Sequence, residues 1–257
     1  MLTDVILFIT GIAVGAMNAI AGGGMLIGFP VLLAVGVPPI VANATNGLIV
    51  LPGGAASTYG YRKYLGRVPK HYLWLIVPAV VGSVVGAILL RNTSHDTFAE
   101  IVPLLVIVAV AMFAFQPFLY RYMHQHIHGP AALRKRIGPL FLVGLAVLPL
   151  AVYGAYFGAG FGFIMLAFLG FTKLHNHLHR LNALKTIMAV VVAITALITL
   201  LDSGLIDWHH GIVMGAGTLI GGYTAAVGTQ KIPTTAIRTF IIIIGLVTAT
   251  YLALRSY

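Results

Sequence analysis

The chain has 257 residues, of which 60% are hydrophobic types and only 8% are charged. Mean hydropathy is +1.01. A soluble domain is nearer half apolar and a quarter charged, so soluble enzymes and nucleic-acid binders are excluded. The formal charge of +10, from 15 Lys and Arg against five acids, therefore reads as membrane topology rather than as a phosphate-binding face. With no cysteine, disulfides, thiol catalysis and Cys-ligated metals are excluded as well.

Taken in chain order, apolar segments run over 2–20, 24–37, 41–61, 71–90, 98–119, 138–160, 161–174, 179–202, 208–230 and 234–254. Segment 2–20 lacks a basic start and a cleavage site, so it reads as a first span rather than a signal peptide. Seven or eight segments are about 20 residues long, enough to cross a hydrocarbon core of about 30 Å. Their apolar runs are continuous rather than alternating, which argues against a β-barrel. Segments 24–37 and 161–174 are too short to span unaided. Each begins at a glycine-rich break: Ala21-Gly22-Gly23-Gly24 in the first, Gly158-Ala159-Gly160-Phe161-Gly162 in the second. Irregular backbone at membrane depth is tolerated only where it is buried or lines a cavity.

The halves repeat. An offset of 139 residues superposes Gly15 on Gly154, Gly23 on Gly162, Asn43 on Asn182 and Gly82 on Gly221. The domain reading is a first transmembrane repeat over 1–120, a basic and His-rich cytoplasmic connecting loop over 121–138, and a second repeat over 139–257, all in one membrane domain. Inverting the second repeat puts 13 of the 15 basic residues on or near the cytoplasmic side and Asp4, Asp96, Glu100, Asp202 and Asp207 outside. The expected fold class is an all-α polytopic membrane protein. It has two inverted-topology repeats of about five helical elements each, with a broken, short helix pair at the glycine-rich break of each repeat.

Inverted repeats with interrupted helices build transporter sites, because half-helix N-termini present free N–H groups and a positive dipole to an anion. Gly22, Gly23, Gly24, Gly160 and Gly162 would let backbone approach such a ligand; glycines also serve plain helix packing. After the breaks, Asn43 and Asn46 share a helix face, as do their counterparts Asn182 and Lys185. Amides and a lysine donate to an anion; the alternatives are interhelical hydrogen bonds for the amides and snorkelling for the lysine. Lys185 has no acidic neighbour in sequence, so an anionic ligand is its expected counter-charge. Tyr156 can donate from just before the second break.

The pattern Gly11-x3-Gly15-x6-Gly22-Gly23-Gly24 with Pro30 resembles the first repeat of the TauE/SafE family of sulfite-exporter-like permeases. So do the basic stretch Tyr61-Arg62-Lys63-Tyr64-Leu65-Gly66-Arg67-Val68 and the helix opening Gly82-Ser83-Val84-Val85-Gly86-Ala87. Near the C-terminus, Gly204-Leu205-Ile206-Asp207-Trp208, Gly221-Gly222 and Ile237-Arg238-Thr239-Phe240 are similar to the end of the family's second repeat. The resemblance implies a secondary transporter, not an enzyme, for small sulfur-containing anions: sulfite, thiosulfate, sulfoacetate or other organosulfonates. It implies a multi-pass protein of a bacterial or archaeal plasma membrane, in contact with lipids, without a cofactor or nucleic-acid partner; assembly as a homo-oligomer is left open. Phe161 and Phe163 depart from the family's small residues at the second break.

The histidines suggest an alternative. His124, His126 and His128 form one HxHxH run and His175, His177 and His179 another, and imidazoles at this density suit divalent transition metals. His175 and His179 would share a helix face. A divalent-metal transporter, or a permease regulated by metal or pH, is the alternative reading. Neither run has a nearby carboxylate to orient its rings.

Overall fold

A computed structural model describes residues 1–127, 140–169 and 178–228, with a few positions between 243 and 252. The regular elements among the described residues are helical. They are α1 (Leu2–Ile20), α2 (Met25–Ala34), α3 (Pro39–Gly60), the short α4 (Arg62–Leu65), a 3-10 turn (Lys70–Leu75), α5 (Ile76–Arg91) and α6 (His95–Ile127) in the first half. The second half carries α7 (Leu140–Tyr156), α8 (Phe161–Leu169), α9 (Leu178–Leu200) and α10 (Trp208–Gly228). The connecting stretch 128–139 and most of the segment expected at 234–254 lie outside the described residues.

Both short elements form where the glycine breaks placed them: α2 has 10 residues and α8 has nine. Among the described residues, five helical stretches are long and apolar enough to cross a membrane: Leu2–Ile20, Lys70–Arg91, His95–Phe115, His179–Leu200 and Trp208–Gly228. α3 is not among them. It has 22 residues but carries Asn43, Thr45, Asn46 and Ser57, with Gly47, Gly53 and Gly54 between them. Its neighbours α1, α9 and α10 cover it instead. Pro52 removes one backbone donor from α3. Next to it, the Gly53 N–H donates to Thr218 Oγ1 of α10 at 3.1 Å, a side-chain rescue typical of proline-broken membrane helices.

The halves interleave. The first helix of each packs on the small-residue helix of the other, α1 on α10 and α7 on α5. A Cβ on Gly11 would stand 3.1 Å from Gly217 Cα, and one on Gly86 would stand 3.0 Å from Ala155 Cβ. Small residues let backbones approach this closely, which is how membrane helices associate without a hydrophobic drive. Gly11 meets Met214 and Gly15 meets Thr218, so α1 and α10 run parallel. Gly211 meets Thr45 and Gly222 meets Gly53, so α3 runs with them. Gly47 meets Leu197 and Gly54 meets Val190, so α9 runs the opposite way.

The acidic residues collect at one end of the bundle. Asp4 at the start of α1 pairs with His209 at the start of α10, at 2.8 Å. Arg91 at the end of α5 holds Asp202, beyond α9, through two bonds of 2.9 and 3.1 Å. Asp96 and Glu100 follow in the first turns of α6. Asp207 caps α10: its carboxylate accepts from the His210 N–H at 3.1 Å and from His210 Nδ1 at 2.6 Å. Burial pushes the Asp207 carboxyl up, but the His210 bonds outweigh it and hold the group below the usual carboxylate range. A depressed acid stabilises the fold at neutral pH, and that contribution is lost as pH falls through the depressed value. Asp207→Ala should therefore cost about 1 kcal/mol at pH 7. Thermal unfolding in detergent should show the gap to wild type closing once pH drops below the ordinary carboxylate range.

Candidate transport site

The site is built from the two interruptions. At the first, the N–H groups of Ala21 and Gly22 both return to Met17 O, at 2.8 and 3.0 Å, and end α1. Gly22 adopts φ +86°, which glycine takes without steric cost. The Asn18 side chain then accepts from the Gly24 N–H at 2.7 Å and starts α2. At the second, Phe157 and Gly158 return to Tyr153 O. Gly158 and Gly160 have φ of +75° and +80°. The Tyr153 hydroxyl donates to Ala159 O at 2.7 Å and pins the loop.

The interruptions touch. A Cβ on Gly22 would stand 2.7 Å from Gly162 Cα, and one on Gly162 would stand 2.8 Å from Gly22 Cα. The start of α8 thus rests on the turn that precedes α2.

Each polar helix reaches across to the other half. Lys185 of α9 is buried at 1% exposure, and its ammonium donates to Asn18 O at 2.9 Å and Ala19 O at 3.1 Å. Those carbonyls belong to the last turn of α1, the negative end of its dipole. In the other direction, Asn43 Nδ2 of α3 donates to Tyr156 O at 2.7 Å, at the end of α7. Asn46 lies against Gly158, with its amide nitrogen where a Cβ would be. The 139-residue offset turns Ala19 into Gly158 and Asn46 into Lys185. The two side chains therefore occupy equivalent places at the ends of α1 and α7. The sequence expectation that an anion must neutralise Lys185 needs amending: helix-end carbonyls already take two of its N–H groups.

A cavity lies between these ends. Gly22, Asn43, Asn46, Gly162 and Lys185 line it, so five of the ten expected residues converge there. The others stand behind it. Gly24 is taken up by Asn18, Gly23 packs on the Phe113 ring, and Gly160 shapes the second turn. Tyr156 contributes its carbonyl, while its hydroxyl lies 3.3 Å from Thr93 Oγ1. Asn182 is buried, and its Oδ1, like that of Asn46, has no partner among the described residues.

Asn18 and Ser57 also line the cavity, and they were not singled out from sequence. A polar residue one turn before the glycine break was the available signal for Asn18. Phe157 and Phe161 supply apolar walls. Among the described residues lining the cavity, Lys185 is the only charged one. His179 lies away from the lining, its ring stacked on Tyr64 at 4.6 Å. His128, His175 and His177, and the side chains of His124 and His126, lie outside the described residues.

A multi-pass helical protein with a polar cavity between interrupted helices is a membrane transporter by class. The comparisons agree. The profile of the family described as "Sulfite exporter TauE/SafE" matches residues 7–252. The chain is 32% identical over 243 residues to a "Probable membrane transporter protein" of Haemophilus influenzae, covering 93% of this chain and 90% of that one. It is 30% identical to "Probable membrane transporter protein YfcA" of Escherichia coli K12, covering 84% of this chain and 77% of that one. A third relative, "Probable membrane transporter protein ORF9" of a Sinorhizobium species, is 29% identical over 87% of this chain and 81% of its own. No solved structure matches. The chain belongs to the TauE/SafE family of membrane transporters and is not an enzyme.

Proposed function

We propose that this protein is a secondary transporter of small sulfur-containing anions, namely sulfite, thiosulfate, sulfoacetate or other organosulfonates. The anion would sit between the glycine breaks, against backbone at Gly22 and Gly162 and within reach of Asn43, Asn46 and Lys185. Gly23, Gly24, Gly160, Asn182 and Tyr156 would hold those groups in place. Access would alternate as the halves, an inverted pair of repeats over 1–120 and 139–257, rock about this site. The end that gathers the acids would face outward and the basic loops inward. One observation carries the choice of an anion. The cavity offers a buried lysine, amide donors and the starts of α2 and α8, and none of the described residues lining it is a carboxylate.

The test is uptake of 35S-labelled sulfite, thiosulfate and sulfoacetate into proteoliposomes. Saturable uptake of at least one, competed by the others and not by chloride, is the expected result. Uptake of none of the three would remove the substrate class.

A further inference from the structure

We infer that the coupling ion is the proton and that Lys185 carries it: the site binds its anion together with one proton, held on Nζ. This rests on the anion-transport reading above and adds to it what moves with the anion.

The donor count at Nζ carries the inference. A protonated lysine has three N–H groups, and the neutral amine has two. The structure supplies two acceptors, Asn18 O and Ala19 O. Both are neutral carbonyls, and no further acceptor stands within hydrogen-bond distance of Nζ among the described residues. An amine is thus satisfied by the protein alone. An ammonium has one N–H left over and no full counter-charge, in a side chain buried to 1% exposure and lining the cavity. A ligand in the cavity is the acceptor it lacks, and an anion supplies the charge as well.

No neighbouring acid can do this work. The five carboxylates of the chain are Asp4, Asp96, Glu100, Asp202 and Asp207. All of them belong to the acidic end of the bundle, whereas Lys185 lies about two helix turns into α9 from the opposite end. Of the elements packed on α9, α5 carries only Arg91, ion-paired at the far end, and α8 carries no titratable side chain. Tyr61, where α3 gives way to α4, lays its hydroxyl on Ala19 O at 3.4 Å, the carbonyl that Lys185 also uses. Tyr64 of α4 stacks on His179, which with Arg180 opens α9 itself. On α7, Tyr153 is committed to Ala159 O, and the Tyr156 hydroxyl lies 3.3 Å from Thr93 Oγ1. The last turns of α1 carry no titratable side chain, and the nearest on α10, Tyr223, stacks on Tyr59. None of these is a carboxylate.

The cycle balances. With the cavity open to one side, the amine takes up a proton and the anion enters, giving an ammonium–anion pair. The paired site reorients as one unit of reduced charge. On the other side the anion leaves, Nζ releases the proton, and the amine returns bonded to its two carbonyls. A permanently charged, empty site would have to reorient with an uncompensated buried cation, which is strongly disfavoured in a membrane interior.

Proteoliposomes loaded with a pH-sensitive dye test this. The probes are 35S-thiosulfate and 35S-sulfoacetate, which do not titrate near neutral pH. Wild type should take up about one proton per anion, and an inward proton gradient should drive accumulation. Lys185→Arg keeps its charge at every working pH. It should still exchange external labelled anion for internal unlabelled anion, yet lose net uptake into empty vesicles by at least about tenfold. Calorimetry of the same anions gives a readout independent of transport. Binding to wild type should take a proton from the buffer, and binding to Lys185→Arg should take none. Anion uptake by wild type without proton movement overturns the inference while leaving anion transport intact. So does net uptake by Lys185→Arg equal to wild type, or proton uptake on binding to that variant. If wild type neither binds nor carries any of the anions, the anion-transport reading itself fails.

Discussion

Gly22→Ala should abolish transport and destabilise the protein by about 3–5 kcal/mol. Two separate costs add at this position. Backbone at φ +86° is strained for any residue with a Cβ, at about 1–2 kcal/mol. The new methyl would also be driven into the backbone of Gly162, 2.7 Å from its Cα, so the two interruptions could no longer touch. Gly36→Ala separates these costs. Gly36 has φ +93°, and open space surrounds the place where its Cβ would stand. That variant should lose only the conformational term, about 1 kcal/mol, and should keep transporting. Thermal unfolding in detergent and uptake by proteoliposomes measure both effects. A Gly22→Ala protein as active as Gly36→Ala would show that contact between the breaks is dispensable.

Lys185→Ala should weaken anion binding by roughly 100-fold, or about 3 kcal/mol, because it removes the only charge among the described residues lining the cavity. It also takes the Lys185 donor from Asn18 O and leaves Ala19 O with the Tyr61 hydroxyl, at about 1–3 kcal/mol of stability. Affinity and folding would then fall together, so a second substitution is needed to separate them. Asn46→Ala removes the equivalent side chain at the end of α7 without removing a charge. It should cost roughly tenfold in affinity and little stability, since its Oδ1 has no partner among the described residues. Equilibrium binding of 35S-thiosulfate to the purified variants should give the order wild type, Asn46→Ala, Lys185→Ala. Unchanged affinity in Lys185→Ala would remove that residue from the site.

Much of this arrangement was legible in the sequence because membrane depth leaves few options. Short apolar runs behind glycine clusters must be interrupted helices, and α2 and α8 are. The 139-residue offset pairs Asn46 with Lys185; Lys185 donates to carbonyls in the last turn of α1, and Asn46 lies against Gly158, just past the end of α7. Partners across the chain were not legible. Lys185 had no acid near it in sequence, yet its partners are carbonyls 166 and 167 positions away. Nothing in a side-chain pattern reports which helix ends face inward. Asn43 and Asn182 align in the repeat but do not share a place, since one donates to Tyr156 O and the other lies behind the lining. The polar helix α3 shows the limit of hydropathy. Its burial among α1, α9 and α10 suits a sequence too polar for an exposed span, and only the packing reveals that cover. The halves interleave through glycine contacts that weak identity could not order.

The most direct test of the central claim is a cryo-EM structure determined with the transported anion. The account predicts density between the glycine breaks, in contact with backbone at Gly22 or Gly162 and within hydrogen-bond distance of Lys185 Nζ. Anion density elsewhere, with this cavity empty while transport is saturated, would contradict it.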